Sequence, residues 1–310
     1  MYKVTIAVLL TLGLVSFLVF NSVSYGAEVY VRIPEGANAR EVAHILSSSR
    51  LISCRSIFLL ATRFSRLDRC IRPGIYRFRL GMWLPEILWV LSQGRIYQLR
   101  VTIPEGWRAT QIADRLEAAG VTSALDFLVL VKKKKLEGYL FPTTYFFEPN
   151  SSAERVTEDM AAKFEQYFTL PMRKRAAELG MSVSEVLTLA SIVEREAIKE
   201  EEKKTISSVY HNRLRSHRPL EADPTIQYAL GYWKPRVTYK DLKYSSPYNT
   251  YRHRGLPPGP ICSVSVSSLQ AVLWPVDTDY LYFVADHHGG HSFHEDYQEF
   301  LRSKARKYRD

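Results

Sequence analysis

From Ser182 to Ala197 apolar and polar residues recur at helical spacing, and neither Gly nor Pro interrupts them. Ser182 followed by Glu185 forms a capping box, and Gly180 breaks whatever precedes it, so the pattern predicts one helix. At about 100° per residue, Glu194 falls in the sector of Val183, Leu187 and Ala190, whereas Glu185, Glu196, Glu200 and Lys203 fall opposite. The expectation is one inward carboxylate and several solvated charges. An ionised carboxylate in apolar surroundings is costly, and a group so placed holds and then donates a proton, as a general acid does. The plainer alternative is a Glu at the edge of the buried stripe, paired with an Arg or hydrogen-bonded.

The front half repeats itself at an offset of 70. Val31 to Leu46 lies over Val101 to Leu116, and both copies carry Ile-Pro-Glu-Gly. Each reads as a short strand, a turn and an amphipathic helix. A second helix is predicted at about 55–66 and 123–131, then a Gly-led aromatic strand at Gly74-Ile-Tyr-Arg-Phe78 and at Gly138-Tyr-Leu-Phe141. Two βααβ units result. Such units recur in modules that hold glycan chains, and a duplicated spacer gives the same pattern. A helix with Ser151 or Ser152 as cap then leads into the helix of Glu194. Further on, Asp223-Pro-Thr reads as a helix start, with Asp223 as N-cap first and catalytic candidate second. Leu256-Pro-Pro-Gly-Pro-Ile261 is a rigid loop suited to walling a cleft. Tyr280 to Ala285 and His287 to Phe293 read as a hairpin turning at Gly289-Gly290.

Composition adds an address. A chain of 310 residues, 46% hydrophobic, is long enough for two or three cores. After Lys3 an uncharged run from Val4 to Phe20 has about the minimum length of a membrane-spanning helix, with no acid before Glu28. A cleaved signal peptide, with Ser24 and Gly26 at the processing site, is the alternative; the length of the run favours a retained anchor. Both readings export the body. The net charge of +10 suits nucleic acid, an anionic membrane or an acidic polymer; export and the lack of any nucleic-acid-binding signature disfavour the first. Lys132 to Lys135 reads as a solvated helix end. Three cysteines make no disulfide scaffold, though Cys54 and Cys70 have the option of pairing in an oxidising compartment.

Elimination narrows the chemistry. His287, His288, His291 and His294 match no zinc signature, and Gly-x-Ser-x-Gly, Gly-x-Gly-x-x-Gly and P-loop patterns do not occur. No metal and no cofactor is expected. What remains is one activated carboxylate beside aromatic and amide side chains on an exported basic protein, which suits cleavage of a polysaccharide. Ser246-Pro-Tyr-Asn-Thr-Tyr251 supplies groups that stack on sugar faces and bond to hydroxyls.

Leu189-Ala-Ser-Ile-Val-Glu194, Val209-Tyr-His-Asn-Arg-Leu214, Asp223-Pro-Thr, Tyr228-Ala-Leu-Gly231, Ser246 to Tyr251, Gly255 to Ile261 and Tyr280 to Ala285 occur in this order, after Leu136 to Pro142 and both Ile-Pro-Glu-Gly copies. In these motifs the chain resembles the MltG (YceG-like) family of membrane-anchored endolytic murein transglycosylases. The resemblance covers nearly everything after the apolar run. It implies an α+β chain with an N-terminal transmembrane helix, a duplicated LysM-like βααβ region and a C-terminal mixed α/β catalytic domain. The expected divisions are anchor 1–27, LysM-like module 28–98, second βααβ-like module and connector 99–170, and transglycosylase domain 171–310.

It also implies cleavage of nascent peptidoglycan between N-acetylmuramic acid and N-acetylglucosamine, leaving a 1,6-anhydro end, and hence a candidate terminator of glycan elongation. The family's catalytic Glu falls on Glu194. Tyr248, Asn249, Tyr251, Asn212, Glu221 and Asp223 are substrate-contact candidates. Expected partners are peptidoglycan glycan strands and cell-wall synthesis proteins. The expected location is the bacterial inner membrane, crossed once, with the body outside. A usual glycoside hydrolase needs two carboxylates, whereas a lytic enzyme manages with one.

Three departures matter. Glu221 stands where the family commonly has Gln, Ser263-Val-Ser265 replaces Asn-Pro-Gly in a loop expected to line the cleft, and Thr143 replaces an acid. Glu221 makes a hydrolase using Glu194 and Glu221 one rival reading. A non-catalytic glycan-binding scaffold is the other.

Overall fold

The computed structural model describes residues 26–67, 71–232, 234, 236–286 and 289–307. The apolar run at residues 4–20 and Cys70 lie outside them, so the expected anchor and the Cys54–Cys70 pair fall outside the described structure. Among the described residues no single helix is long and apolar enough to cross a membrane. They form twelve α-helices and three two-stranded sheets in two compact units, the first ending at Leu99.

In the first unit β1 (Glu28–Ile33) is followed by α1 (Ala39–Ser48), α2 (Arg55–Phe64), β2 (Gly74–Arg79) and α3 (Leu84–Gln93). The strands pair antiparallel from Glu28 opposite Arg79 to Ile33 opposite Gly74. Strand alternation sends Val31 and Ile33 inward together with Tyr76 and Phe78, onto Val42, Leu46, Phe58, Ile87 and Leu91. Asn38 caps α1 in a capping box with Glu41. The helix α3, which the repeat did not predict, contributes the last two of those core residues.

From the boundary onward run β3 (Leu99–Thr102), whose first residue closes the first unit, α4 (Ala109–Ala118), α5 (Ala124–Lys134) and β4 (Thr144–Phe147), with β3 bonded to β4. The expected strand at 138–141 is a correction: that segment is a turn, and the strand starts at Thr144. The reason is Gly138, whose φ is +80° and where a Cβ would stand 2.4 Å from Pro260 Cβ. Packing of the proline-rich loop against this position leaves no room for an extended strand there. Lys132, Lys133 and Lys134 do close α5, where cations complement the helix dipole.

Beyond these come α6 (Ala153–Tyr167), capped by Ser152, and α7 (Leu170–Glu178), α8 (Val183–Glu196), α9 (Lys203–Arg215), α10 (Asp223–Leu230), α11 (Val266–Leu273) and α12 (Tyr297–Lys307). The hairpin β5 (Tyr282–Ala285) and β6 (His291–His294) pairs antiparallel, as its sequence predicts. The main core gathers around α8, which packs against α9 and α11. Every residue from Val186 to Val193 on α8 is buried, so for two turns this helix has no solvent face.

Candidate active site

Glu194 sits one residue beyond that fully buried stretch, with its side chain 8% exposed. Ser182 and Glu185 start the helix by the expected reciprocal bonds. The surroundings of Glu194 are not the apolar ones expected. Its Oε2 accepts from the Ser265 N–H at 2.9 Å, the Ser265 hydroxyl at 2.5 Å and the Ser268 hydroxyl at 2.6 Å. Ser265 is the N-cap of α11, so the carboxylate lies at a helix N-terminus, where negative charge is favoured. Lys203 Nζ stands 3.6 Å from Oε1 and donates to Ser265 Oγ at 3.0 Å and Ser267 Oγ at 2.9 Å. One oxygen is therefore saturated by donors, while Oε1 accepts no hydrogen bond among the described residues.

The division into one inward acid and several outward charges is corrected. Glu185 and Glu200 do face solvent, but Glu196 and Lys203 turn in. Tyr210 donates to Glu196 Oε1 at 3.0 Å, and burial, reinforced by the Asp223 charge, pushes the Glu196 carboxyl up to about 7. The helical wheel fails for two reasons. The buried stretch of α8 is enclosed on all sides, and the chain leaves the helix at Ala197, which is extended. Lys203 opens α9 and returns toward Glu194 from another direction.

The second Ile-Pro-Glu-Gly copy also belongs to this neighbourhood. Gly106 N–H donates to Ser263 O at 2.9 Å, Ser263 N–H donates to Trp107 O at 2.7 Å, and a Cβ at Gly106 would lie 4.0 Å from Glu194 Cγ. Burial and the Glu194 charge raise the Glu105 carboxyl. Ser263 and Ser265, the residues that replace Asn-Pro-Gly, thus join the repeat to the acid.

The remaining candidates hold other places. Asn249 is fully buried; its amide donates to Leu242 O at 2.9 Å and Tyr244 O at 2.7 Å, and its Oδ1 accepts from Tyr251 N–H. Asn212 donates to the carbonyls of Thr278 and Tyr280, tying α9 to the segment before β5. Glu221 pairs at 3.0 Å with Arg213, which also bonds the Leu220 and Leu281 carbonyls. Asp223 is not the helix cap that its sequence predicts: Ala222 occupies that position, and Asp223 accepts from the Tyr251 hydroxyl at 2.6 Å. Tyr248 packs on Tyr228 with ring centroids 4.8 Å apart. None of these side chains bonds to Glu194; the structure groups Asp223 with Tyr251 and Tyr248 with Tyr228.

Sequence reasoning missed Lys203, Ser268 and Glu137. Glu137 is buried and raised by that burial, accepting from the Ala109 N–H at 2.9 Å and the Tyr228 hydroxyl at 3.3 Å. Its signal was its place in Leu136-Glu-Gly-Tyr. Lys203 and Ser268 carried none, because only the packing of α9 and α11 brings them to Glu194. Of the four histidines, His291 pairs with Glu202 at 2.7 Å, and residues 287 and 288 lie outside the described residues. Among the described residues no His, Cys, Asp and Glu side chains cluster at metal-binding geometry.

Comparison with known proteins identifies relatives of the chain. The sequence profile of the YceG-like family matches residues 31–306. The endolytic murein transglycosylase of Bacillus subtilis (strain 168) is 35% identical over 306 residues, covering 89% of this chain and 84% of that protein. That of Streptococcus pneumoniae serotype 2 (strain D39) is 29% identical over 321 residues, covering 90% of this chain and 57% of that protein. A crystal structure of a yceG-like protein from Listeria monocytogenes matches with a TM-score of 0.59 at 32% identity, over 89% of this chain and 99% of that one. A family match over most of the chain, with relatives that share both its sequence and its fold, shows that the chain belongs to the YceG-like family.

Proposed function

We propose that this chain is an endolytic lytic transglycosylase of peptidoglycan, with Glu194 as its acid and base. The observation that carries the reading is a nearly buried carboxylate with one oxygen saturated by Ser265 and Ser268 and the other left open, in a chain of a family whose relatives are named endolytic murein transglycosylases. With Oε2 held by three donors, Oε1 is the oxygen through which Glu194 exchanges a proton with the substrate. Glu194 gives it to the glycosidic oxygen as the C1–O bond breaks, and the departing N-acetylglucosamine leaves with a free hydroxyl. The resulting carboxylate takes the proton of the muramyl C6 hydroxyl, whose oxygen closes on C1 to form the 1,6-anhydro ring. No water is consumed and the acid is regenerated. The serine hydroxyls and Lys203 stabilise the carboxylate at the midpoint, where its charge is largest.

The reading assigns residues 28–98 to a LysM-like βααβ module that holds the glycan, 99–170 to a second βααβ-like module and connector, 171–310 to the catalytic domain, and residues 1–27 to a single-pass anchor in the inner membrane with the body outside. Tyr248 and Tyr251 are its sugar-contacting residues, with Asp223 orienting Tyr251. Asn212, Asn249 and Glu221 support that surface from behind through their bonds to the chain. Glycan strands and wall-synthesis proteins are its partners. Mass spectrometry of products from uncrosslinked glycan strands tests the activity: anhydro-ended products that vanish in Glu194→Gln support it. Reducing ends from the wild type, or intact strands under folding conditions, sink it.

A further inference from the structure

The first unit holds a feature that the reaction does not use. A groove of about 1020 Å³ is lined by Gly26, Arg77, Arg79, Arg95, Trp89 and Tyr97, with Glu86 among them. Arg95 lies over Trp89 at 4.7 Å and Arg77 over Tyr97 at 5.7 Å. Trp89 is 51% exposed and Trp83, just before α3, is 71% exposed, a poor placement for large aromatics in water. The acids nearby are already engaged: Glu86 Oε2 accepts from the Trp83 N–H at 3.1 Å, and Glu28 pairs with Arg77 at 3.5 Å. Among the described residues Arg79 and Arg95 have no carboxylate partner. Residues 26–99 carry 11 Arg and no Lys against 4 Glu and 1 Asp, so six of the ten net positive charges lie in this stretch.

We propose that this groove docks the first unit on the anionic surface of the lipid bilayer, its guanidinium groups on headgroup phosphates and Trp83 and Trp89 at headgroup depth. Guanidinium forks match phosphate oxygens, and Trp rings settle where one edge is apolar and the other wet. Chain length puts the contact within reach: five residues separate Phe20, the end of the apolar run, from Gly26 in the groove lining, a span of at most about 20 Å. The inference rests on the anchor reading above. A neutral sugar subsite fits less well, since guanidinium and apolar side chains dominate the lining and its carboxylate, Glu86, already accepts from the Trp83 N–H. Docking of this kind would keep the unit at the membrane face, where strands begin.

The test uses the full chain reconstituted with vesicles of phosphatidylcholine, with and without phosphatidylglycerol, containing acyl-brominated lipids that quench tryptophan. Wild-type emission is expected to be quenched more strongly with phosphatidylglycerol present, and Trp83→Phe/Trp89→Phe to lose that extra component. Arg77→Gln/Arg79→Gln/Arg95→Gln is expected to lose it too. Each basic residue at an anionic surface is worth about fivefold, so three shift the docked-to-undocked ratio on the order of 100-fold. Vesicle flotation separates the two readings. A chain that fails to float overturns anchor and docking together. A chain that floats with equal quenching in wild type and variants overturns docking alone, as does emission of Trp83 and Trp89 that responds to soluble glycan strands and not to lipid.

Discussion

Glu196 offers a prediction whose sign and size follow from its surroundings. Its carboxyl lies at about 7 in the folded chain, against an ordinary 4.5, because it is buried beside the Asp223 charge. Between those values the folded chain keeps a proton that the unfolded chain has released, so unfolding gives up a proton and stability falls as pH rises. Below 4.5 both states hold the proton and the effect vanishes; above 7 it is complete. At 1.36 kcal/mol per pH unit, the loss reaches about 3 kcal/mol. Glu196→Gln keeps a carbonyl oxygen for the Tyr210 hydroxyl, has no proton to lose and places no charge beside Asp223. Urea denaturation at pH 4.5, 6, 7 and 8 should therefore show the variant and wild type drawing apart, the variant gaining up to about 3 kcal/mol on the wild type by pH 8. In thermal scans of a unit this size that is roughly 10 °C. Stability curves that stay parallel across this pH range, within about 0.5 kcal/mol, would refute the argument that Glu196 is protonated in the fold.

Ser265→Ala removes both a hydroxyl bonded to Glu194 and the side-chain cap of α11, so kcat/KM on glycan strands should fall on the order of 10- to 100-fold, and unchanged kinetics would remove Ser265 from the site. Gly138→Ala places a methyl 2.4 Å from Pro260 Cβ at a left-handed backbone position, and calorimetry should find it destabilised by about 2 kcal/mol or more; a neutral result would mean that the loop yields freely. Asn249→Ala strips the carbonyls of Leu242 and Tyr244 of their donor and should cost about 2 to 4 kcal/mol in chemical denaturation, whereas full stability with lost activity would return Asn249 to substrate contact.

Local patterns settled a good deal before any fold was considered. The capping box of Ser182 and Glu185, the helix carrying Glu194, the β5–β6 hairpin and the lysine-rich end of α5 depend on interactions within a few residues, and the sequence states them directly. The motif order likewise pointed to the family and to Glu194. Tertiary structure decided what surrounds that carboxylate. A helical wheel carries information only while the chain remains helical and has one solvent face; α8 is buried on every side from Val186 to Val193 and ends at Glu196, so the wheel misplaces Glu196 and Lys203. Ser265 and Ser268 reach Glu194 across more than 70 positions because α11 packs against α8, and no spacing rule encodes such a meeting. The sequence around Gly138 predicts a strand, but the contact with Pro260, over 120 positions away, makes it a turn. Helices, caps and hairpins are fixed by neighbours along the chain, whereas the donors around a buried acid are fixed by which elements share a core.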